Sequence, residues 1–282
     1  MALSVRLRGV VALAGRYPVL AGADLDVRHG EIVVLRGANG AGKTSLLRVM
    51  AGLLPLAAGE ALVLDLDPTA DARRLRRQVG LLGHRNGLYD ELSAEENVRF
   101  AARSAGLRKD AVAAALDRLG LGGRLRDLPV AKLSAGQRRR VALAGLLARQ
   151  PRLWLLDEAH AGLDAEHRGH LDELLKQVAL DGGTVVLASH EDRAGDVLAD
   201  RVVTMSGGTV VDGLLPEGHA SEVPPVPLVP RLAVPVPAAD GHFLHAEAPP
   251  ARHAEQAEGP PARDGEHAEG LPTQHAGAPN VA

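Results

Sequence analysis

The chain has 282 residues, 46% of them hydrophobic, enough for one large domain or two small ones around a sizeable core. A formal net charge of -3 gives no electrostatic footprint for nucleic acid or an anionic membrane surface, and the absence of cysteine excludes disulfides, thiolate metal sites and cysteine nucleophiles. No run approaches the ~18 apolar residues of a transmembrane helix, so work at a membrane requires another chain to supply the span.

In chain order, Arg6, Arg8 and Arg16 interrupt the apolar N-terminus before it reaches the length of a signal peptide, and Val5–Leu13 reads as an opening strand. Glu31–Leu35 is a short apolar run of the kind that forms a buried strand. Behind it stands Gly37-Ala38-Asn39-Gly40-Ala41-Gly42-Lys43-Thr44-Ser45: a glycine, four residues, then Gly-Lys-Thr. In such a loop successive backbone N–H groups curl around phosphates, the Lys43 ammonium reaches the terminal ones, and the Thr44 hydroxyl ligates Mg2+. Of 32 basic residues only Lys43, Lys109, Lys132 and Lys176 are lysine, so the compact ammonium at position 43 stands against a strong preference for arginine. Leu46, Leu47, Met50 and Leu54 recur at helical spacing, which predicts a helix over Ser45–Leu54 whose N-terminus faces the anion. The alternative, a glycine-rich turn with no ligand, leaves this strand-loop-helix order unexplained.

Val79–Gly83 reads as a strand, and the residues from about 84 to 133 then hold helical patterns (Ala94–Ala105, Lys109–Leu119) and no convincing strand. A helical subdomain inserted between sheet strands is expected there. Leu133-Ser134-Ala135-Gly136-Gln137 precedes a helical pattern over Gly136–Arg149; Ser134 suits an N-cap, and the small residues let N–H groups approach a second anion. Arg138–Arg140 reads as a solvated helix face. Leu153–Leu156 is an apolar strand ending in Asp157 and Glu158, which by itself is an ordinary strand end exposing charge; beside a phosphate loop, Asp157 is placed to hold Mg2+ and its hydration shell, and Glu158 to orient or deprotonate water. Ala165–Leu180 is helical, Thr184–Ala188 is a strand leading to His190, Glu191–Leu198 is helical, and Val202–Met205 with Thr209–Val211 form a hairpin about Ser206-Gly207-Gly208. Strands alternating with helices predict an α/β domain with a largely parallel sheet.

Of eighteen prolines only Pro18, Pro55, Pro68, Pro129 and Pro151 precede Leu215, and the segment 216–282 lacks the apolar periodicity that offsets ordering entropy. It is expected to be a disordered tail following a domain of residues 1–215. Its histidines, His219, His242, His245, His253, His267 and His275, have no fixed spacing for a metal or haem.

Leu133-Ser-Ala-Gly-Gln137 resembles the LSGGQ signature of the ABC-transporter ATP-binding family, with Ala135 in place of the first glycine, and the family's other motifs follow in order over about residues 3–213. The resemblance implies a P-loop NTPase cassette: a RecA-like core, an antiparallel β subdomain and a helical subdomain. It implies ATP and Mg2+ as ligands, Tyr17 stacked on adenine, Asp157 as the Walker B acid, Glu158 as catalytic carboxylate, Asp164 in the D-loop and His190 as switch histidine. Tyr17 by itself reads as a core aromatic, and His190 as a satisfied strand-end histidine. Two such subunits pair head to tail, most simply as a homodimer, with Ser134–Gln137 of one covering ATP held by the other, and they drive a polytopic membrane permease from the cytoplasmic face of the membrane.

At the glutamine that opens the family's helical subdomain this chain has His84. Gly83-His84, then Glu91-Leu-Ser93 and Glu96-Asn97-Val-Arg-Phe100, together with Leu-Ser-Ala-Gly-Gln and Leu153-Trp154-Leu-Leu-Asp-Glu158, resemble the haem-exporter ATP-binding subunits of cytochrome c biogenesis. The implied task is haem export for c-type cytochromes; the alternatives are another exporter, of drugs or lipids, and a non-transport nucleotide-gated protein. Ala159-His160 replaces the family's usual proline after the catalytic glutamate.

Overall fold

The computed structural model describes residues 2–104, 109–189 and 198–214. In chain order its elements are β1 (Leu3–Ala14), β2 (Tyr17–Arg28), β3 (Ile32–Arg36), α1 (Lys43–Met50), β4 (Ala58–Val63), α2 (Ala72–Leu75), β5 (Val79–Leu82), α3 (Ala94–Ser104), α4 (Lys109–Arg118), α5 (Arg124–Asp127), α6 (Ala135–Arg149), β6 (Leu153–Asp157), α7 (Ala165–Leu180), β7 (Thr184–Ser189), β8 (Arg201–Ser206) and β9 (Thr209–Val211). The segment 216–282, its histidines, His190 and residues 191–197 of the helix expected over Glu191–Leu198 lie outside the described residues.

Two sheets form. One is antiparallel, in the order β2-β1-β4, with Leu7 opposite Leu25 and Val5 opposite Val63. The other runs β5-β6-β7-β3-β8-β9, parallel throughout except for β9, which folds back on β8 across Gly207 and Gly208. Both glycines take positive φ, 56° and 80°, as a two-residue hairpin turn of matching twist requires.

The period-two alternation of the parallel strands sorts their side chains into two cores. Leu153, Leu155, Val186, Ala188, Val33 and Leu35 face α1 and the antiparallel sheet, where Leu46, Leu47 and Met50 are fully buried. Trp154, Leu156, Val185, Leu187 and Val34 face α6 and α7. A third core joins α3, α4 and α6 through Val98, Leu116, Val141 and Ala144. Helix α6 therefore packs on two sides at once, with Leu143 and Leu146 against the sheet and Val141, Ala144 and Ala148 against the inserted helices. Each leucine so buried contributes about 1.5–3 kcal/mol, which anchors the start of α6 relative to the sheet.

Two strands and both ends of one helix depart from the sequence expectation. Strands β2 and β4 form where composition gave no strand signal. The helix after the phosphate loop stops at Met50 rather than Leu54, because Gly52 turns left-handed (φ 64°), its N–H bonding Val49 O and the Leu53 N–H bonding Arg48 O, a Schellman end. The opening of that helix lies two residues earlier than expected, at Lys43.

Candidate functional site

Parallel strands place their C-terminal ends on one edge, and it is there that the chemistry-bearing residues collect. The loop 37–42 leaves the end of β3 and turns into α1. Gly42 caps that helix with φ 105° and no side-chain acceptor, so the first-turn N–H groups are not claimed by a cap. By contrast α6 is capped by Ser134 and α7 by Asp164.

Two glycines in the loop are demanded by close approach. A Cβ on Gly37 would lie 2.4 Å from the Met205 carbonyl oxygen, and one on Gly42 would lie 2.8 Å from that of Val19. The buried Lys43 ammonium donates back over the loop to Gly37 O at 2.6 Å and Ala38 O at 3.2 Å, curling the backbone around it. Ala38, Asn39 and Gly40 form the exposed rim, while Ser45 is half-buried beneath it. Backbone bonds Ala21 N to Gly208 O and Gly208 N to Ala41 O tie the loop to β2, at whose start Tyr17 lies 78% exposed.

From the end of β6, Asp157 meets the loop: Thr44 Oγ1 donates to Asp157 Oδ2 at 2.7 Å. Two hard oxygens thus converge beside the lysine, a donor set suited to Mg2+. Glu158 follows with φ 53°, a left-handed conformation that costs a non-glycine residue about 1 kcal/mol or more, and its N–H bonds Ala188 O at 3.0 Å.

Behind these acids sits a residue that sequence reasoning misread. Arg139 is not on a solvated face; it is 5% exposed, and its guanidinium donates to the carbonyls of Asp157 (2.5 Å), Glu158 (2.8 Å), Ala159 (3.4 Å) and Gly83 (2.8 Å) and to Asn86 Oδ1 (3.0 Å). Burial lowers its pKa and the charges of Asp157 and Glu158 oppose that, but arginine starts so high that it stays a cation. The run of three arginines hid it. The usable signal was its register with Ala142, Leu143 and Leu146 on the face of α6 that packs on the sheet.

The signature residues lie at the start of that helix. Leu133 is buried, Ser134 and Ala135 are exposed, and Gly136 and Gln137 are half-buried. Ser134 and Gln137 form a reciprocal capping box: Gln137 N donates to Ser134 Oγ (3.2 Å) and Ser134 N to Gln137 Oε1 (2.8 Å). A Cβ on Gly136 would lie 2.8 Å from Gly162 O, so this glycine admits the 161–164 segment against the helix. Asp164 is exposed, and its carboxyl is held below the ordinary carboxylate range by the His167 N–H and imidazole, both on Oδ1. His160, in the place where the sequence departs from the usual proline, is buried with Nε2 2.7 Å from Asp172 Oδ1. His84 is exposed, just beyond β5.

A family profile described as "ABC transporter" matches residues 20–161. The cytochrome c biogenesis ATP-binding export protein CcmA of Bordetella bronchiseptica is 45% identical over 178 residues, 62% of this chain and 77% of that protein. The protein of the same description from Vibrio cholerae is 37% identical over 194 residues, 68% of this chain and 93% of its own. Among solved structures, a dimeric ATP-binding cassette in a post-hydrolysis state bound to ADP and phosphate is similar at 26% identity with a TM-score of 0.68, covering 73% of this chain and 96% of that one.

Proposed function

The chain belongs to the ABC transporter family, and from that membership we propose that it is the ATP-hydrolysing subunit of an exporter handling haem for c-type cytochrome assembly. The observation that carries the ATPase reading is the Thr44–Asp157 bond, which closes the phosphate loop onto a carboxylate-bearing strand end. In this reading the N–H groups of loop 37–42 and the start of α1 bind the β- and γ-phosphates, Lys43 turns from the Gly37 and Ala38 carbonyls to the γ-phosphate, and Tyr17 offers its exposed ring to adenine. Thr44 Oγ1 and Asp157 would hold Mg2+, which would supply positive charge against the charge developing on the phosphates. Glu158 orients a water whose oxygen bonds the γ-phosphorus as the bond to the ADP oxygen breaks; the water's proton passes to the carboxylate, and ADP and phosphate leave. His190 senses the γ-phosphate.

The exposed Ser134 and Ala135 present the start of α6 to nucleotide on a second copy of the chain, so ATP fastens a head-to-tail homodimer and hydrolysis releases it. Among the described residues no helix is long and apolar enough to cross a membrane, and the chain works peripherally, at the cytoplasmic face, against a membrane permease. The face toward that permease is built by the 84–100 run. Buried Asn97 holds the 89–93 segment through Tyr89 N, Tyr89 O, Leu92 O and Ser93 O, which sets exposed Tyr89 edge-on against Phe100 at 5.2 Å. The haem assignment rests on that run with His84 and on the export proteins it resembles.

Glu158→Gln should bind MgATP and accumulate as a dimer in size-exclusion chromatography with light scattering. Normal turnover by this variant would remove Glu158 from the chemistry. Deleting the gene should abolish covalent haem staining of c-type cytochromes; undiminished staining would assign the ATPase to a different exporter.

A further inference from the structure

We infer that Arg139 is a positioning residue for Glu158, a single guanidinium that transmits the placement of the 83–86 segment to the backbone of the acid that handles water. The inference rests on the ATPase reading above and adds a connection that the phosphate loop, the strand-end acids and the signature do not contain.

The geometry is specific. Glu158 holds a left-handed backbone (φ 53°), which persists only where surrounding contacts fix it. Its N–H is fixed by Ala188 O, and its carbonyl by Arg139 Nη2 at 2.8 Å, the same nitrogen that binds the carbonyl of Asp157. The other terminal nitrogen, Nη1, faces the opposite way, to Gly83 O and Asn86 Oδ1, on either side of His84 and Arg85. A planar fork with fixed angles between its donors cannot follow one set of acceptors without pulling on the other. These five acceptors are neutral oxygens, so what the guanidinium supplies through them is orientation; a flexible ammonium would satisfy fewer of them and leave the two ends independent. A movement of residues 83–86 is thereby carried to the Glu158 carbonyl through one side chain, with α6, itself packed between the sheet and the inserted helices, as the rigid mount.

Steady-state ATP hydrolysis by the purified full chain separates this from a purely structural role. Arg139→Lys keeps charge and approximate volume but loses the fork. Because misplacing a reacting group by about 1 Å can cost ~100-fold, kcat should fall at least about tenfold, with KM for MgATP within about threefold of wild type. Asn86→Ala, which removes one of the two far acceptors and leaves Gly83 O and the clamp on residues 157–159, should lower kcat by about threefold with an unchanged melting temperature. Arg139→Lys with wild-type kcat per folded molecule, or with a loss confined to KM, overturns the inference. If Arg139→Lys does not fold, a wild-type kcat in Asn86→Ala overturns it alone. A wild-type chain that neither binds nor hydrolyses ATP overturns the underlying ATPase reading instead, and this inference with it.

Discussion

Thr44 Oγ1 and Asp157 Oδ2 stand 2.7 Å apart although they are 113 positions apart in the sequence. The strands that deliver them, β3 and β6, are not neighbours; β7 lies between, so the bond spans the strand-end edge above it. If this pair is the Mg2+ seat, Asp157→Asn and Thr44→Val should each raise the Mg2+ concentration for half-maximal ATPase by roughly tenfold or more, the usual scale for damaging a metal's ligand set or its support. Thr44→Ser, which keeps the hydroxyl, should stay near wild type. A Mg2+ titration of activity checks this, and an unchanged titration in Asp157→Asn would place the metal elsewhere.

Gly42 and Gly40 allow backbone strain and steric crowding to be told apart. Both take positive φ (105° and 83°), but a Cβ on Gly40 meets nothing within 4 Å, whereas on Gly42 it meets Val19 O at 2.8 Å and Leu20 Cδ2 at 3.2 Å. Gly40→Ala should therefore cost about 1 kcal/mol, from conformation alone, and Gly42→Ala about 2–4 kcal/mol, because β2 must also give way. Urea unfolding of the two variants measures the difference. Equal losses would mean that β2 moves aside freely.

How much of this the sequence disclosed follows from where physical signals are local. The loop 37–42, the acid pair and the capped start of α6 each occupy a few consecutive residues whose types are set by one turn or one cap; the loop follows β3, Asp157 ends β6 and Ser134 caps α6. Strand β2 escaped because Pro18, Gly22, Asp24 and Asp26 all argue against a strand; it forms through pairing with β1, and buried Asp26 is tolerated because Arg8 binds it bidentately at 2.8 and 3.0 Å. Strand β4, with Gly59 and Glu60, buries only Ala61 and Val63, too little for a pattern. Arg139 escaped for the opposite reason: its neighbours are charged, and only the tertiary placement of three carbonyls on one side and Gly83 with Asn86 on the other makes a buried cation there tolerable.

Asn97 tests whether the 84–100 run is a structural unit. Its side chain accepts from Tyr89 N at 2.8 Å and donates to Tyr89 O, Leu92 O and Ser93 O. Asn97→Ala leaves those part-buried backbone groups without this partner, and should destabilise by about 2–3 kcal/mol. Amide exchange in residues 89–93 should accelerate while the 37–45 loop keeps its protection. Uniform acceleration across the chain would show that the segment does not open independently.

Acid should loosen the seam between the two sheets through His29. Ser4 Oγ, on β1, lies 2.7 Å from His29 Nδ1 and 2.7 Å from Thr184 Oγ1, on β7, and Gly30 N donates to the same threonine oxygen at 3.1 Å. Burial first, and then the charge of Arg152, hold the His29 pKa below its ordinary value, with Asp65 opposing weakly. As pH falls, the unfolded chain takes up the proton before the folded one does. The stability tied to neutral His29 is thus fully present above the unfolded value near 6.5, and is lost as pH drops through that value toward the depressed folded one. The imidazole is only part-buried, so solvent screening keeps the effect a small part of the total. His29→Gln, uncharged at every pH and still able to bond Ser4, should flatten the fall in urea midpoint between pH 7 and pH 5 while leaving the midpoint at pH 8 nearly unchanged. An identical slope in wild type and variant would mean that other groups carry the acid sensitivity of the seam.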